Sequence, residues 1–295
     1  MNFDRSLDAA YGVEVRLSRR VARLLACNPG PFTFRGTGVY IVGQGRSVAV
    51  IDPGPAIPGH IESLKQVLAL RQVSHILVTH THRDHSPAAQ ALKLWSGAPT
   101  YGLPLAAPAA SADSQEAMVD EAHDHDFVPD IPVRDGMRIE GDGFELECVA
   151  TPGHTANHIC YALAAEGALF SGDHVMGWST SVIAPPDGNM GDYLASLEKL
   201  AARGDKILYP THGAPIANPG DWLGQLIAHR RMRESQIVAA LAEGPQTVQD
   251  LVARLYPGIE SALRPAAGQQ IAAHLEHLAS RVEAVPQNGY WLLKI

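Results

Sequence analysis

The chain has 295 residues, of which 46% are hydrophobic and 18% charged, with a net charge of −8 and a pI of about 5.9. This composition is ordinary for a globular protein, and the length suits one large domain with a small second domain. The three cysteines, Cys27, Cys148 and Cys160, form no CxxC pair, which excludes a disulfide framework and a cysteine zinc site.

The first third of the chain begins without an apolar signal segment, and no stretch of the sequence is apolar for long enough to span a bilayer. We therefore expect a cytoplasmic protein with no membrane contact.

Residues 1–30 contain several arginines on a possible short helix or strand, and residues 28–33 are rich in turn-forming residues. Residues 39–42 and 47–51 then flank a Gly-Gln-Gly turn, which predicts a β-hairpin ending at Asp52.

A group of metal-binding residue types follows the apolar, β-branched run 74–79, which is typical of a buried strand. Histidines 80 and 82 are two residues apart, so both point to the same side of an extended backbone. Arg83 would turn the chain, so that Asp84 and His85 reach a second point nearby. Imidazole and carboxylate groups suit zinc, with iron or manganese as alternatives. A helix is predicted over residues 58–70 before this strand, and another over 86–94 would direct its positive end at the cluster.

An acidic segment is predicted over residues 103–130. No lysine or arginine occurs between Lys93 and Arg134, whereas seven acidic residues do, together with His123 and His125. The low periodicity favours a long exposed loop, and such loops are often lids. A third metal site in this segment is the alternative.

Further strands are predicted over residues 131–133, 144–150, 158–163, 168–171 and 206–209, with a helix over 193–202. This order of elements indicates a mixed α/β class.

The last 76 residues have a different character, so we divide the chain into domains at 1–219 and 220–295. Three helices are predicted: one over 222–241, a second that begins at Thr247 as its N-cap, and a third over 270–282. A hairpin with an Asn-Gly turn follows over 284–293. This order resembles a winged helix. Residues 230–295 carry seven basic and six acidic residues, whereas a DNA-binding module should show a basic face. We therefore favour a packing or dimerisation domain, with a homodimer as the possible assembly.

The pattern His-x-His-x-Asp-His resembles the metallo-β-lactamase superfamily over about residues 30 to 215. The resemblance implies three later ligands at strand ends, for which the chain offers His154, Asp173 and His212 in order, each after a short apolar run. The resemblance implies an αβ/βα sandwich and a hydrolase with two zinc ions. It assigns His80, His82 and His154 to one ion, Asp84, His85 and His212 to the other, and Asp173 to both. A hydroxide between the ions would attack a carbonyl carbon or phosphorus, with Asp84 orienting it and taking its proton. Asp52 resembles a residue buried beneath the metals, although a turn-starting Asp is an equal interpretation.

The substrate class is less constrained than the reaction. The pattern is similar to glyoxalase-II-like hydrolases, and more so to a lactamase-like branch with a C-terminal winged helix, which includes acyl-carrier thioesterases and an endoribonuclease. Hydrolysis of a thioester or ester is the first hypothesis, RNA cleavage the second and β-lactam hydrolysis the third. Residues 1–229 carry 16 basic and 25 acidic residues, which disfavours RNA. A β-lactamase would need an export signal, and a non-enzymatic scaffold would have lost ligands. The roles of His158, His174, Asn157 and Tyr193 stay open.

Overall fold

The computed structural model describes residues 1–105 and 122–294. A seven-stranded sheet, in the order β1 to β7, forms the first half of the larger domain. Its strands are β1 (Glu14–Arg16), β2 (Val21–Leu25), β3 (Gly38–Val42), β4 (Ser47–Ile51), β5 (Gln72–Leu77), β6 (Thr100–Gly102) and β7 (Ile131–Pro132). Helices α1 (Pro58–Leu68) and α2 (Ala88–Ser96) connect the parallel strands β4, β5 and β6 and cover the outer face of the sheet.

A six-stranded sheet forms the second half, in the order β13-β12-β11-β10-β9-β8. Its strands are β8 (Arg138–Gly141), β9 (Phe144–Ala150), β10 (Ile159–Leu163), β11 (Ala168–Gly172), β12 (Ile207–Pro210) and β13 (Ile216–Ala217). Strands β11 and β12 are parallel because helix α3 (Met190–Arg203) carries the chain back between them. This helix covers the outer face of the second sheet.

The two sheets pack face to face around an apolar core that includes the fully buried Tyr40, Tyr161 and Phe170. A second apolar layer lies under α1 and α2, and a third lies under α3. Strands β2, β3 and β10 are buried along their whole length, because layers cover both of their faces. The predicted αβ/βα sandwich is therefore confirmed.

The C-terminal part contains α4 (Gly220–Ala242), α5 (Val248–Leu255), α6 (Arg264–Ser280), β14 (Ala284–Gln287) and β15 (Tyr290–Leu293). Thr247 caps α5, as predicted, and forms a reciprocal capping box with Asp250. Asn288 and Gly289 have φ values of 51° and 83°, the left-handed conformations that the predicted hairpin turn requires. Helix α6 begins six residues before the predicted start at residue 270. Its first turn carries Pro265, and proline is well tolerated at this position of a helix.

Helix α4 takes part in two cores. Leu223 and Leu226, near its start, pack with α3 in the core of the larger domain, whereas Ile237 and Leu241 pack with α5 and α6. One continuous helix thus ties the C-terminal module to the sandwich. The domain division at residues 1–219 and 220–295 stays a prediction.

The acidic segment is described only in part, because Asp113, Glu116, Asp120 and Glu121 lie outside the described residues. Within residues 122–130, His125 is exposed as expected, but His123 is not on a solvated loop. It forms a β-bridge with His82, its Nδ1 lies 3.0 Å from Thr81 Oγ1, and its Nε2 lies 3.3 Å from Asp187 Oδ2. The sequence-based expectation is therefore wrong for His123. Among the described helices, none is long and apolar enough to cross a bilayer.

Candidate metal centre

The polar residues that follow the strand ends meet at one edge of the sandwich. The loop after β5 carries the 80–85 cluster, the loop between β9 and β10 carries His154, and the ends of β11 and β12 carry the remaining two residues. The residues form three groups, and within each group the ligand atoms lie within 4.8 Å of one another. The groups are His80 with His82 and His154, His80 with His85 and Asp173, and Asp84 with His85 and His212. The structure thus brings together all seven residues singled out in the sequence.

The first group consists of three imidazoles. His80 Nε2 lies 2.9 Å from His82 Nδ1, and the His154 ring centroid lies 5.0 Å from that of His80 and 4.9 Å from that of His82. His80 and His82 lie two residues apart on the loop that follows β5. His154 reaches them from a loop on the opposite sheet.

The second group combines imidazoles with carboxylates. Asp84 Oδ2 lies 3.3 Å from His85 Nε2 and 3.0 Å from His212 Nε2. Asp173 Oδ2 lies 3.4 Å and 3.3 Å from the same two nitrogens. Since Asp173 also groups with His80, it lies between the two sets of ligand atoms.

Hydrogen bonds outside the cluster fix which ring nitrogen points inward. His154 Nδ1 lies 2.6 Å from the carbonyl oxygen of Val182, and His212 Nδ1 lies 3.1 Å from that of Gly36. A carbonyl oxygen can only accept, so each Nδ1 must carry a proton, and this bond directs the Nε2 atom toward the cluster. His85 is oriented in the same way by Asp52, 3.0 Å away.

Asp52 lies beneath the cluster and is 1% exposed. Its Oδ2 accepts hydrogen bonds from the hydroxyls of Thr79 and Thr211 as well as from His85, and its Oδ1 accepts from the Thr79 amide at 2.8 Å. Because Thr79 Oγ1 gives its proton to Asp52, it can accept one from His80 Nδ1 at 3.1 Å. Asp52 is therefore a buried anchor of the ligand loop rather than an ordinary turn residue.

Charge in the cluster differs between its two halves. Burial, followed by repulsion from neighbouring imidazoles, lowers the pKa of His80 and of His82 well below the usual value, so both are neutral. Burial also opposes protonation of His212, but Asp173 and Asp84 outweigh it and raise the pKa of His212 to about 10. The carboxylates of the second half thus hold protons on its imidazoles in the metal-free protein, and a cation that binds there would displace those protons.

The donor atoms fit metal ions. His85 Nε2, His154 Nε2 and Asp173 Oδ1 are buried and have no hydrogen-bond partner among the described residues. Buried polar atoms are normally paired, so these three need a partner of another kind. The set contains imidazole and carboxylate donors without a thiolate, a donor chemistry that suits zinc, iron or manganese.

A cleft with a volume of about 370 Å³ opens over the cluster. Five of the seven residues line it: His82, Asp84, His154, Asp173 and His212. Its opposite wall comes from the C-terminal module, including Arg230 and Arg233 of α4, which sequence reasoning did not single out. Both arginines fall in a segment with nearly balanced charge, so composition gave no signal for them.

The residues whose roles stayed open lie away from the cleft. His158 and His174 are fully buried; Nδ1 of His158 lies 2.8 Å from Thr151 Oγ1, and burial lowers the pKa of His174 to about 3. The Asn157 amide donates to Thr81 Oγ1 and to the Leu103 carbonyl. Tyr193 is buried beneath Arg230 and donates to the His174 carbonyl. All four side chains support the walls of the site.

Comparisons with known proteins agree with this architecture. The model of the metallo-beta-lactamase superfamily matches residues 33–212, and that of the beta-lactamase associated winged helix domain matches residues 247–291. A beta-lactamase-like protein 2 homolog of Caenorhabditis elegans is 33% identical over 284 residues, which cover 94% of this chain and 89% of the relative. An atrochrysone carboxyl ACP thioesterase of Paecilomyces divaricatus is 34% identical over 229 residues, which cover 77% of this chain and 66% of the relative.

Several lactamase-like relatives are longer, and the chain spans just under two thirds of their length, 64 to 65%. Among solved structures, a beta-lactamase domain protein from Burkholderia ambifaria superposes with a TM-score of 0.82 at 22% identity. The superposition covers 98% of this chain and 96% of that structure. The shared fold therefore includes both the sandwich and the C-terminal module.

Proposed function

Because the chain belongs to the metallo-β-lactamase superfamily, whose members are generally hydrolases that bind divalent metal ions, we propose that it hydrolyses an acyl thioester or ester with two zinc ions. One ion would be held by His80, His82 and His154. The other would be held by Asp84, His85 and His212, with Asp173 shared. The carrying observation is that these side chains converge at the floor of one cleft, with their free nitrogens and oxygens directed at each other.

The metal ions would supply Lewis acidity and lower the pKa of an attacking water to about 7. Asp84, which lines the cleft as Asp173 does, would orient that water and accept its proton. Burial alone would raise the pKa of Asp84, but His85 and His212 outweigh it and lower the pKa, so the carboxylate stays ionised. The Thr37 hydroxyl, 3.3 Å from Asp84 Oδ2, supports its orientation.

A thioester ranks first as substrate because a relative that matches 77% of this chain is named a thioesterase. The wall of the cleft opposite the metals includes Ile259, Leu263 and Ala266, which suits an apolar acyl group. The acyl group would lie against this wall with its carbonyl carbon over the cluster.

RNA cleavage ranks second, and the structure offers one observation in its favour. Although residues 1–229 are acidic as a whole, Arg5, Arg230 and Arg233 line the cleft itself. The overall charge that disfavours RNA therefore does not describe the surface that a substrate would meet. Hydrolysis of a β-lactam ranks third.

A direct test is to assay zinc-loaded protein on acyl thioesters, single-stranded RNA and a chromogenic β-lactam, with the Asp84→Ala variant as the control for contaminating activity. We expect turnover of thioesters that the variant lacks. Turnover of RNA without turnover of any thioester would reverse the ranking.

A further inference from the structure

The C-terminal module forms one wall of the cleft. Helix α4 contributes Arg230 and Arg233, and residues between α5 and the first turn of α6 contribute Tyr256, Ile259 and Leu263. The module therefore contacts anything that fills the cleft above the cluster, which goes beyond a role in packing or dimerisation. The nature of this wall bears on which substrates can bind.

The wall holds positive charge without a matching negative charge. Among the residues that the structure describes, no carboxylate lies within 4.0 Å of the guanidinium of Arg230 or Arg233. Arg230 is only 3% exposed, and a buried charge without a counter-charge is costly. An anion in the cleft would remove this cost.

The two arginines differ in which donors they have free. Arg230 donates through Nη1 to Gln270 Oε1 at 2.8 Å and through Nη2 to the Ser181 carbonyl, and it lies over the Tyr193 ring. These bonds hold it in place. Its Nε is buried with no hydrogen-bond partner in the described part of the chain.

Arg233 is held along one edge. Its Nη1 donates to Gln236 Oε1 at 2.9 Å and to the Leu255 carbonyl at 3.0 Å, and its guanidinium lies 4.3 Å from the centroid of the Tyr256 ring. Its buried Nε has no hydrogen-bond partner within the described ranges. A guanidinium with one edge anchored presents a preorganised fork for a carboxylate or phosphate on the other.

We propose that Arg233, supported by the charge of Arg230, binds an anionic oxygen group of the substrate at the end of the cleft formed by the winged-helix module. The group is a carboxylate on the acyl chain or a phosphate on the thiol carrier. The apolar Ile259 and Leu263 beside it accommodate the chain between this group and the scissile carbonyl. The proposal rests on the proposed thioester hydrolysis and specifies its substrate class.

Matched substrates test the proposal and separate the two sources of the anion. Octanoyl and 7-carboxyheptanoyl thioesters of N-acetylcysteamine differ in one carboxylate, and octanoyl thioesters of pantetheine and 4′-phosphopantetheine differ in one phosphate. We expect Arg233→Gln to lower kcat/KM about 10- to 100-fold for the charged member of one pair, mainly through KM, and to leave the neutral member nearly unchanged. The substrate pair on which the substitution acts shows whether the bound anion is the carboxylate of the acyl chain or the phosphate of the carrier.

Arg231→Gln is the matched control. Arg231 lies on the same helix, and its substitution removes the same charge. The residue is exposed, pairs with Glu198 and does not line the cleft. Arg233→Lys keeps the charge without the fork, and we expect it to restore part of the loss. An equal loss on charged and neutral substrates, no loss on either pair, or the same pattern in Arg231→Gln would overturn the proposal.

A binding measurement separates this proposal from the proposed hydrolysis. Calorimetric titration of the zinc-loaded protein compares suberate with octanoate, and 4′-phosphopantetheine with pantetheine. In one pair, we expect the ligand with the additional carboxylate or phosphate to bind more tightly, and Arg233→Gln to abolish the difference. That result without thioester turnover would contradict the proposed function alone. Turnover without any such difference would contradict the anion subsite alone. Binding of a single-stranded RNA oligonucleotide that depends on Arg233, with no difference in either pair, would assign the arginines to nucleic acid and overturn the subsite.

Discussion

Replacing Asp52 with Asn tests whether this buried carboxylate organises the ligand loop. Asn keeps the volume but removes the charge, so the three bonds to Oδ2, from Thr79, Thr211 and His85, each fall from about 1.5–3 to about 1 kcal/mol. The new amide group would face the Thr79 N–H and leave it unpaired, which costs about 1–3 kcal/mol more. After local adjustment, we expect the free energy of unfolding to fall by about 3–5 kcal/mol.

Two assays measure the effect of Asp52→Asn. Urea denaturation of the metal-free protein gives the change in stability, and a competitive zinc titration gives the affinity, which we expect to fall about 10- to 100-fold because His85 loses its orienting partner. Asp142→Asn, at an exposed turn, is the control. A stability loss below about 0.5 kcal/mol, the range of ordinary surface substitutions, together with unchanged zinc affinity, would refute the reasoning.

Three further predictions follow from the site and the module. Asp84→Ala should lower kcat/KM about 100- to 10,000-fold in the zinc-loaded protein without shifting its circular dichroism spectrum, and retention of full activity would remove Asp84 from the mechanism. In the metal-free protein, the pKa of His212 is raised to about 10 from an ordinary 6.5, so protonated His212 stabilises the fold. This stabilisation is fully present below pH 6.5 and is lost as the pH rises toward 10. Zinc should therefore bind more tightly at pH 8 than at pH 6 with release of protons, and calorimetry in buffers of different ionisation enthalpy that detects no release would contradict this. Thr247→Ala should cost about 1 kcal/mol through loss of the cap of α5, measured by thermal unfolding with Ser261→Ala as an exposed control, and an unchanged midpoint would show that the cap does not contribute.

Much of the site could be predicted from the sequence because its signals are local. The run from residue 74 to 79 is apolar and β-branched, and the polar residues begin where it ends, so their position at a strand end follows from periodicity alone. His154, Asp173 and His212 also follow apolar runs, but the resemblance to the family identified them as candidate ligands. Their meeting at one edge required the sandwich, which came from the resemblance and not from the pattern.

Other features depend on contacts that a local pattern does not carry. Strands β6, β8 and β13 have three, four and two residues, too few to show a period, and they form because neighbouring strands offer an edge. His123 lies in a polar segment and is positioned by Thr81 and Asp187, which are far from it in sequence. The arginines of α4 face the cleft only because the helix is shared between two cores.

The central claim is that seven side chains hold a pair of metal ions. Anomalous diffraction from crystals of the zinc-loaded protein, recorded above and below the zinc edge, tests it most directly. We expect two peaks, one about 2.0–2.2 Å from the ring nitrogens of His80, His82 and His154, and one at similar distances from Asp84, His85 and His212. Asp173 should lie within reach of both peaks. A single peak, or none at these residues, would contradict the account.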